Sequence, residues 1–377
     1  MYVEEESKES VFLKQKFSEY YIKNFIELPN IENREFGFGI FKRKIANRNI
    51  AFRDANEMNY FLRNNKPLFF SYSNAYYRFP ERKPMENKIL FGADLIYEFD
   101  ADELGLEVEE IDGKQWFEKK HLSEAKKQIF KLIDFLQNDF GFDSKEFSIN
   151  FSGKAGYHLH VRSDLIKNLN KQSRIELVDY ITGSGIYFEK MGYDFEKGVV
   201  AKTKGRWIER VNSKVKELLT LSPKELSVIS GVQQKKINIL LEKREEVIEG
   251  INRGVLFKLE GKKSNEFWKK VFQNAVDKEL SPIDRQTSVD LHKIIRVPNT
   301  LHGDTGFLAK TIKFDDLEEF DPFVDSIVFD NTPQRVFIKK APKFTLNNTC
   351  YGPFENEEIE VPMFVAIYLI GKGAELR

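Results

Sequence analysis

Residues 147–161 read Phe147-Ser-Ile-Asn-Phe151-Ser-Gly-Lys-Ala-Gly156-Tyr-His-Leu-His-Val161. Two short strand-like runs flank a tight turn of Ser, Lys, Ala and two glycines, and His158 and His160 fall on one face of the second run. Working outward, the strongest strand signal of the first half is Phe91-Gly-Ala-Asp-Leu-Ile-Tyr-Glu-Phe-Asp100. A helix is expected between these strands from Ser123 to Asp139, with Ser123 as N-cap and Gly141 beyond its end. An amphipathic helix is expected over 8–26, stopped by Pro29. Arg34–Phe41 reads as a strand whose two glycines imply close backbone approach or a bulge, and 66–80 as a strand and aromatic turn. No third glycine opens a helix, so this is no dinucleotide fingerprint. Strands and helices mix without the regular alternation of a doubly wound sheet, and the expected class is α+β.

From about 166 to 265 the pattern turns helical, with runs over 207–219 and 234–249 and a helix start at Ser222-Pro-Lys-Glu-Leu226. This stretch holds Lys202, Lys204, Arg206, Arg210, Lys214 and Lys216. Strand and loop character returns over 288–298, 301–310 and 324–337, and 361–370 is a short apolar helix. The domain reading is therefore a discontinuous catalytic domain, 1–165 with 266–377, interrupted by a helical subdomain over 166–265.

The 377 residues carry 59 basic and 59 acidic side chains, 41% hydrophobic and 31% charged residues, which excludes a disordered chain and a polybasic coat protein. The single cysteine, Cys350, cannot form an internal disulfide, a Cys-based zinc site or an iron–sulfur cluster, which fits a reducing compartment. The acidic N-terminus lacks the pattern of a secretory signal, and the longest apolar stretch falls short of a bilayer span. A cytoplasmic location without membrane attachment is the expectation.

Three constellations could carry chemistry. Asp100 and Asp102 follow an apolar strand with i, i+2 spacing, which on a strand sets two carboxylates side by side where a hard divalent cation would relieve their repulsion. A solvated acidic turn is the plain alternative. The 152–156 turn, with Ser152, Lys154 and His158, could hold phosphate oxygens, though it is not a Walker A loop and could equally be a hairpin turn. The third runs from Asp284 through Asp290 and Ile294-Ile-Arg296 to Leu301-His302-Gly303 and adds a carboxylate, an arginine and a histidine beside a turn.

In combination and order these segments resemble the small catalytic subunit of archaeo-eukaryotic DNA primases. The resemblance runs from Arg34-Glu-Phe-Gly-Phe through Ser73-Asn-Ala-Tyr-Tyr, Gly92-Ala-Asp-Leu with the Asp100/Asp102 pair, and Ser152-Gly-x-x-Gly-x-His-x-His. It continues to Asp290-x4-Ile-Arg-x-Pro-x-x-Leu-His-Gly and Glu360-Val-Pro. It implies a primase catalytic fold of mixed or antiparallel sheets flanked by helices. It also implies Asp100, Asp102 and Asp284 as ligands of two Mg²⁺ or Mn²⁺ ions, with Asp290 competing with Asp284 for the third place. Ser152, Lys154, His158, Arg296 and His302 would bind the nucleotide triphosphate, and Arg48 would lie near the nucleotide. The implied partners are a single-stranded DNA template, ribo- or deoxynucleoside triphosphates and a primase large subunit.

Three departures stand out. Residues 103–121 contain no cysteine, so the zinc knuckle of many relatives is expected to be absent. Asp304 stands where relatives often carry lysine, and Ala155 where some carry a second basic residue. The implied activity is template-directed primer synthesis by nucleotidyl transfer. A primase-polymerase that mainly extends with deoxynucleotides and a non-catalytic scaffold are the alternatives, and a metal-dependent phosphohydrolase is a weaker one. Lys293 lies near where a sugar contact would fall, and Tyr76 and Trp207 are candidate template-stacking aromatics.

Overall fold

The computed structural model describes residues 6–202, 205–259, 264–283 and 285–377; Asp284 and Lys204 lie outside them. The chain divides into two compact units, one of Met1–Phe130, Phe142–Ile175 and Ile283–Arg377, the other of Lys131–Gly141 and Glu176–Pro282.

The first unit is α+β and carries two four-stranded antiparallel sheets. One has the order Ile294–Arg296, Phe69–Ser73, Phe36–Ile40, Arg43–Ile50. Its tight return depends on Gly39, where a Cβ would lie 2.3 Å from the Arg43 carbonyl oxygen, and the register slips along Phe36–Ile40. Phe36 packs edge-on against Phe52 at 4.9 Å and stacks on Phe70 at 5.4 Å, so this sheet is held by apolar burial. The other sheet has the order Thr311–Ile312, Phe147–Phe151, Gly156–Val161, Leu95–Asp100. The two strands of the 147–161 segment are thus adjacent, and Leu95–Asp100 pairs with the second.

Helix boundaries differ from expectation where the caps differ. The opening helix, Lys8–Lys23, ends well before Pro29, because the Asn24 backbone N–H and side chain both donate to the Tyr20 carbonyl and close the last turn. The helix expected from Ser123 starts four residues earlier and spans Lys119–Asn138. Its first turn is closed from within, by the buried His121 ring accepting the Glu118 N–H at 2.9 Å. The C-terminal helix, Met363–Gly371, is buried throughout.

Arg34 is buried at the heart of this unit. Its Nη2 donates to Asp94 at 2.7 Å and to the Tyr76 hydroxyl at 2.9 Å, and its Nη1 donates to the carbonyls of Ser73 and Asn74. The guanidinium also lies 4.0 Å from the Tyr76 ring centroid. Tyr76 is therefore a core residue and not a surface stacking platform.

The second unit is helical, including Arg206–Leu218, Pro223–Ser230, Gln234–Glu242, Arg244–Arg253 and Ser264–Glu279. Ser222 and Glu225 form a capping box with Pro223 in the first turn. The single helix expected over 234–249 is interrupted at Lys243, whose backbone leaves helical geometry. Trp207 is buried with Val211 and Val215 on one helical face, and its Nε1 donates to the Tyr180 carbonyl, so it too is core. Arg210 is spent on Asp139 at 2.8 Å and on Asp134, and Lys214 on Glu217 and Glu279. Half of the apparent basic stretch is thereby accounted for, or lies outside the described residues. Among the described residues, no helix is long and apolar enough to cross a membrane.

Candidate active site

A cleft of about 420 Å³ in the first unit is lined by residues of both four-stranded sheets. Carboxylates from Leu95–Asp100 and the turn after it line one end. Basic and neutral donors from the 152–156 turn, Ile294–Arg296, His302 and Lys44 line the other.

At the acidic end the strand stops at Asp100 and the chain enters a 3₁₀ turn, Ala101–Glu103. The residue sharing the strand face with Asp100 is therefore Glu98, two positions before it, which the sequence reading missed. Asp102 reaches the same cleft from the turn, where Gln115 Nε2 donates to its Oδ2 at 2.9 Å. Gln115 comes from the small hairpin Glu109–Ile111 and Lys114–Trp116, which occupies the cysteine-free segment. Asp100 Oδ1 is buried without a hydrogen-bond partner among the described residues. Burial, followed by the charges of Glu98, Asp102 and Glu103, pushes the Asp100 pKa up to about 7. A buried carboxylate oxygen with no donor and three acidic neighbours suits a divalent cation with hard oxygen ligands. No group of three potential metal-ligating side chains is found among the described residues, which exclude Asp284.

The cationic end is built on the 152–156 turn. Ser152 Oγ accepts the N–H groups of Ala155 and Gly156 at 3.2 and 3.1 Å, so the hydroxyl organises the turn and its backbone donors face inward. Both turn glycines answer to this site. Gly153 has a left-handed φ of +87°, and a Cβ there would lie 2.8 Å from His302 Cβ; one on Gly156 would lie 1.9 Å from the Phe99 carbonyl oxygen and 2.7 Å from Asp100 Oδ1. Lys154 and Lys44 project into the cleft, and Lys44 had no signal in the sequence.

Arg296 lies 5.2 Å from the Phe69 ring centroid, with its Nε and Nη1 buried and without partners among the described residues. Burial lowers its pKa to about 10, still leaving it charged at neutral pH. His302 Nδ1 accepts the Asp304 N–H at 3.1 Å, which assigns the ring proton to Nε2. Burial first, then Arg296 and Lys154, keeps this histidine well below its ordinary pKa, so it is a neutral donor. His158 is lowered to about 4 by burial despite Glu98, whose Oε1 lies 3.4 Å from its Nε2. Lys293 lines the cleft and pairs with Glu98 at 3.0 Å.

Of the residues singled out in the sequence, Asp100, Asp102, Ser152, Lys154, His158, Arg296 and His302 all line this cleft. Arg48 does not: it pairs with the buried Glu35 at 2.9 Å and donates to the His292 carbonyl. Asp290 is exposed, accepts the His292 N–H and is not among the lining residues. Asp284 lies outside the described residues.

Comparison with known proteins identifies the family. The family model for the DNA primase small subunit matches residues 99–314, which include most of the cleft. Curated relatives named DNA primase small subunit PriS match along almost their full lengths. That of Methanothrix thermoacetophila is 31% identical over 98% of this chain and 98% of its own, and that of Archaeoglobus fulgidus is 30% identical over 96% and 97%. That of Methanosarcina barkeri is 30% identical over 96% and 95%. A full-length match at this identity, with a family model that covers most of the residues lining the cleft, places the chain in the DNA primase small-subunit family.

Proposed function

We propose that this chain is the catalytic subunit of a DNA primase, and that the cleft joins nucleotides by transfer of a nucleotidyl group to a 3′-hydroxyl, with release of pyrophosphate. One observation supports this reading above the others. Among the described residues, the same cleft holds a buried carboxylate oxygen with no donor, at Asp100, and buried guanidinium nitrogens with no acceptor, at Arg296. One end calls for a cation and the other for an anion, which together describe a metal-bound triphosphate.

Asp100 and Asp102, with Asp284 as the expected third carboxylate, would hold divalent ions, whose contribution when bound is to acidify an attacking hydroxyl and balance charge on a leaving pyrophosphate. Arg296 and Lys154 hold the outer phosphates by charge. His302 adds a neutral Nε2–H, and the Ser152-capped turn keeps Lys154 in place. The hydroxyl gives up its proton to solvent as its oxygen bonds to the α-phosphorus, the α–β phosphoanhydride bond breaks, and the leaving pyrophosphate carries its charge toward Arg296 and Lys154.

Arg296→Met should raise the KM for every nucleoside triphosphate by roughly 10- to 100-fold, independent of the base, because one charge-assisted phosphate contact is lost. An unchanged KM, measured at saturating template, would remove Arg296 from the phosphate site.

The helical unit is read as an insertion that contributes template contact, and a primase large subunit as the partner in starting a chain. Membership of a small-subunit family supports the second reading, the exposed cations of the helical unit support the first, and the single cysteine leaves an iron–sulfur module to such a partner. Within the basic stretch, exposed Lys202 and Arg206 remain the candidates for DNA phosphates. The double variant Lys202→Gln/Arg206→Gln should reduce the salt slope of single-strand affinity by about 1 to 1.5. Arg210→Gln should leave that slope unchanged and lower thermal stability, since it uncovers the buried Asp139. Equal slopes for all three proteins would take template contact away from this stretch.

A further inference from the structure

The cationic end of the cleft already contains a carboxylate. Asp304 Oδ2 lies 3.6 Å from Lys154 Nζ, and each side chain is only about one-fifth exposed. Lys44, Arg296 and Lys372 are also near enough to feel the charge of Asp304. The backbone beneath it is clamped from three sides. Its N–H donates to His302 Nδ1, the Thr305 hydroxyl donates to the Gly153 carbonyl at 2.6 Å, and a Cβ on Gly371 would lie 2.2 Å from the Asp304 carbonyl oxygen. The Asp304 backbone is therefore tied to the turns that present Lys154 and His302, and its carboxylate faces the Lys154 ammonium.

A carboxylate oxygen and a phosphate oxygen make the same charge-assisted bond to an ammonium group. We infer that Asp304 is a built-in counter-anion, which holds Lys154 in the nucleotide-free protein and competes with the triphosphate for it, so that binding exchanges one anion for another. The inference rests on reading this end of the cleft as the triphosphate site. Its consequences are twofold. Nucleotide affinity is set below what the surrounding cations would give alone. The return of Asp304 to Lys154 also helps the pyrophosphate product to leave, because the cation is not stranded when the product goes.

Calorimetric titration with inorganic tripolyphosphate, alongside steady-state primer synthesis, tests this on the full chain. Asp304→Asn should tighten tripolyphosphate binding by roughly 3- to 10-fold and lower the nucleotide KM to match, from removal of one screened charge at close range. The gain should shrink in a Lys154→Met background, where only direct repulsion and the influence of Asp304 on the neighbouring cations remain, and kcat should not rise. Asp304→Ser, which cannot reproduce an asparagine-specific contact, should move binding in the same direction.

If Lys154→Met and Arg296→Met weaken tripolyphosphate binding while both Asp304 variants leave it equal or weaker, Asp304 supports the anion site and the proposal fails with the site intact. If Lys154→Met and Arg296→Met leave binding at the wild-type level, the triphosphate reading itself falls, and the proposal with it.

Discussion

Asp100→Asn should reduce primer synthesis by roughly three orders of magnitude or more, the scale set by losing several kcal/mol of transition-state stabilisation. The loss should come without loss of fold. Burial and neighbouring acids raise the Asp100 pKa from 3.8 to about 7. The sign follows from linkage: a group whose folded pKa is raised contributes stability that is complete below its unfolded pKa and lost as pH rises through its folded one. At pH 8 without divalent ions, wild-type Asp100 therefore carries an unfavourable charge that asparagine removes. The variant should melt at or above the wild-type temperature there, and the two proteins should converge near pH 4.

Mn²⁺ should raise the wild-type melting temperature at pH 8 by roughly 2 °C or more and the variant's much less. Because binding must expel the Asp100 proton, Mn²⁺ affinity should fall by up to about tenfold per pH unit below about 7. Calorimetry with Mn²⁺, which requires no turnover, reads both effects. A variant that keeps full activity, or an undiminished Mn²⁺ response, would take Asp100 out of the ion-binding end.

Arg34→Met should be the most destabilising single change away from the cleft. Arg34 is fully buried and Asp94 nearly so, and removing the cation leaves a carboxylate facing the Tyr76 hydroxyl. Breaking such a buried pair costs about 3–5 kcal/mol. Arg162, whose Nε lies 3.4 Å from the same carboxylate, should hold the loss to the lower part of that range. The carbonyls of Ser73 and Asn74 also lose the Arg34 donor, although Asn74 keeps the Asp94 N–H at 3.0 Å, so the turn between two strands loosens together with the ion pair. Urea unfolding should show an earlier transition for the first unit, and Arg34→Met/Asp94→Leu should recover part of the loss. A wild-type midpoint for Arg34→Met would show that the network contributes little to stability.

The sequence carried the site unevenly, for physical reasons. The 147–161 segment was legible because strand alternation and a glycine turn are local properties. The presence of acids at 100 and 102 was legible too, but their geometry was not. The same-face rule assumes that the strand continues, whereas it ends at Asp100, and the rule then selects Glu98. Lys44 and Gln115 reach the cleft only because hairpins fold back, one across Gly39 and one beside Asp102, and nothing adjacent in sequence marks either. Arg48 was assigned to the nucleotide, but its charge is answered by Glu35, a distant partner that no spacing rule reveals. Trp207 is different: Val211 and Val215 repeat on its face at helical spacing, so its burial could have been read. The start of the helix at Lys119 was not legible because His121 caps it from inside, whereas a sequence cap signal lies ahead of the helix.

The antiparallel ladder that pairs Gly156 with Asp100 and His158 with Glu98 has a consequence for how this enzyme can vary. Neighbouring rungs of one ladder fix the span between the ion-binding and phosphate-binding ends, so no loop length enters that span. The exposed tip of the hairpin, residues 108–113, can vary in length beside the ladder, provided a donor such as Gln115 still reaches Asp102 and Trp116 keeps its buried place against Phe344 and Tyr368. An insertion of a single residue within 96–100 or 156–160 has the opposite effect. It turns the acids off the cleft and drives a side chain into the place of Gly156. The chain is thus modular on one side of Asp102 and intolerant of one-residue changes on the other, a boundary that a scan of short insertions would map.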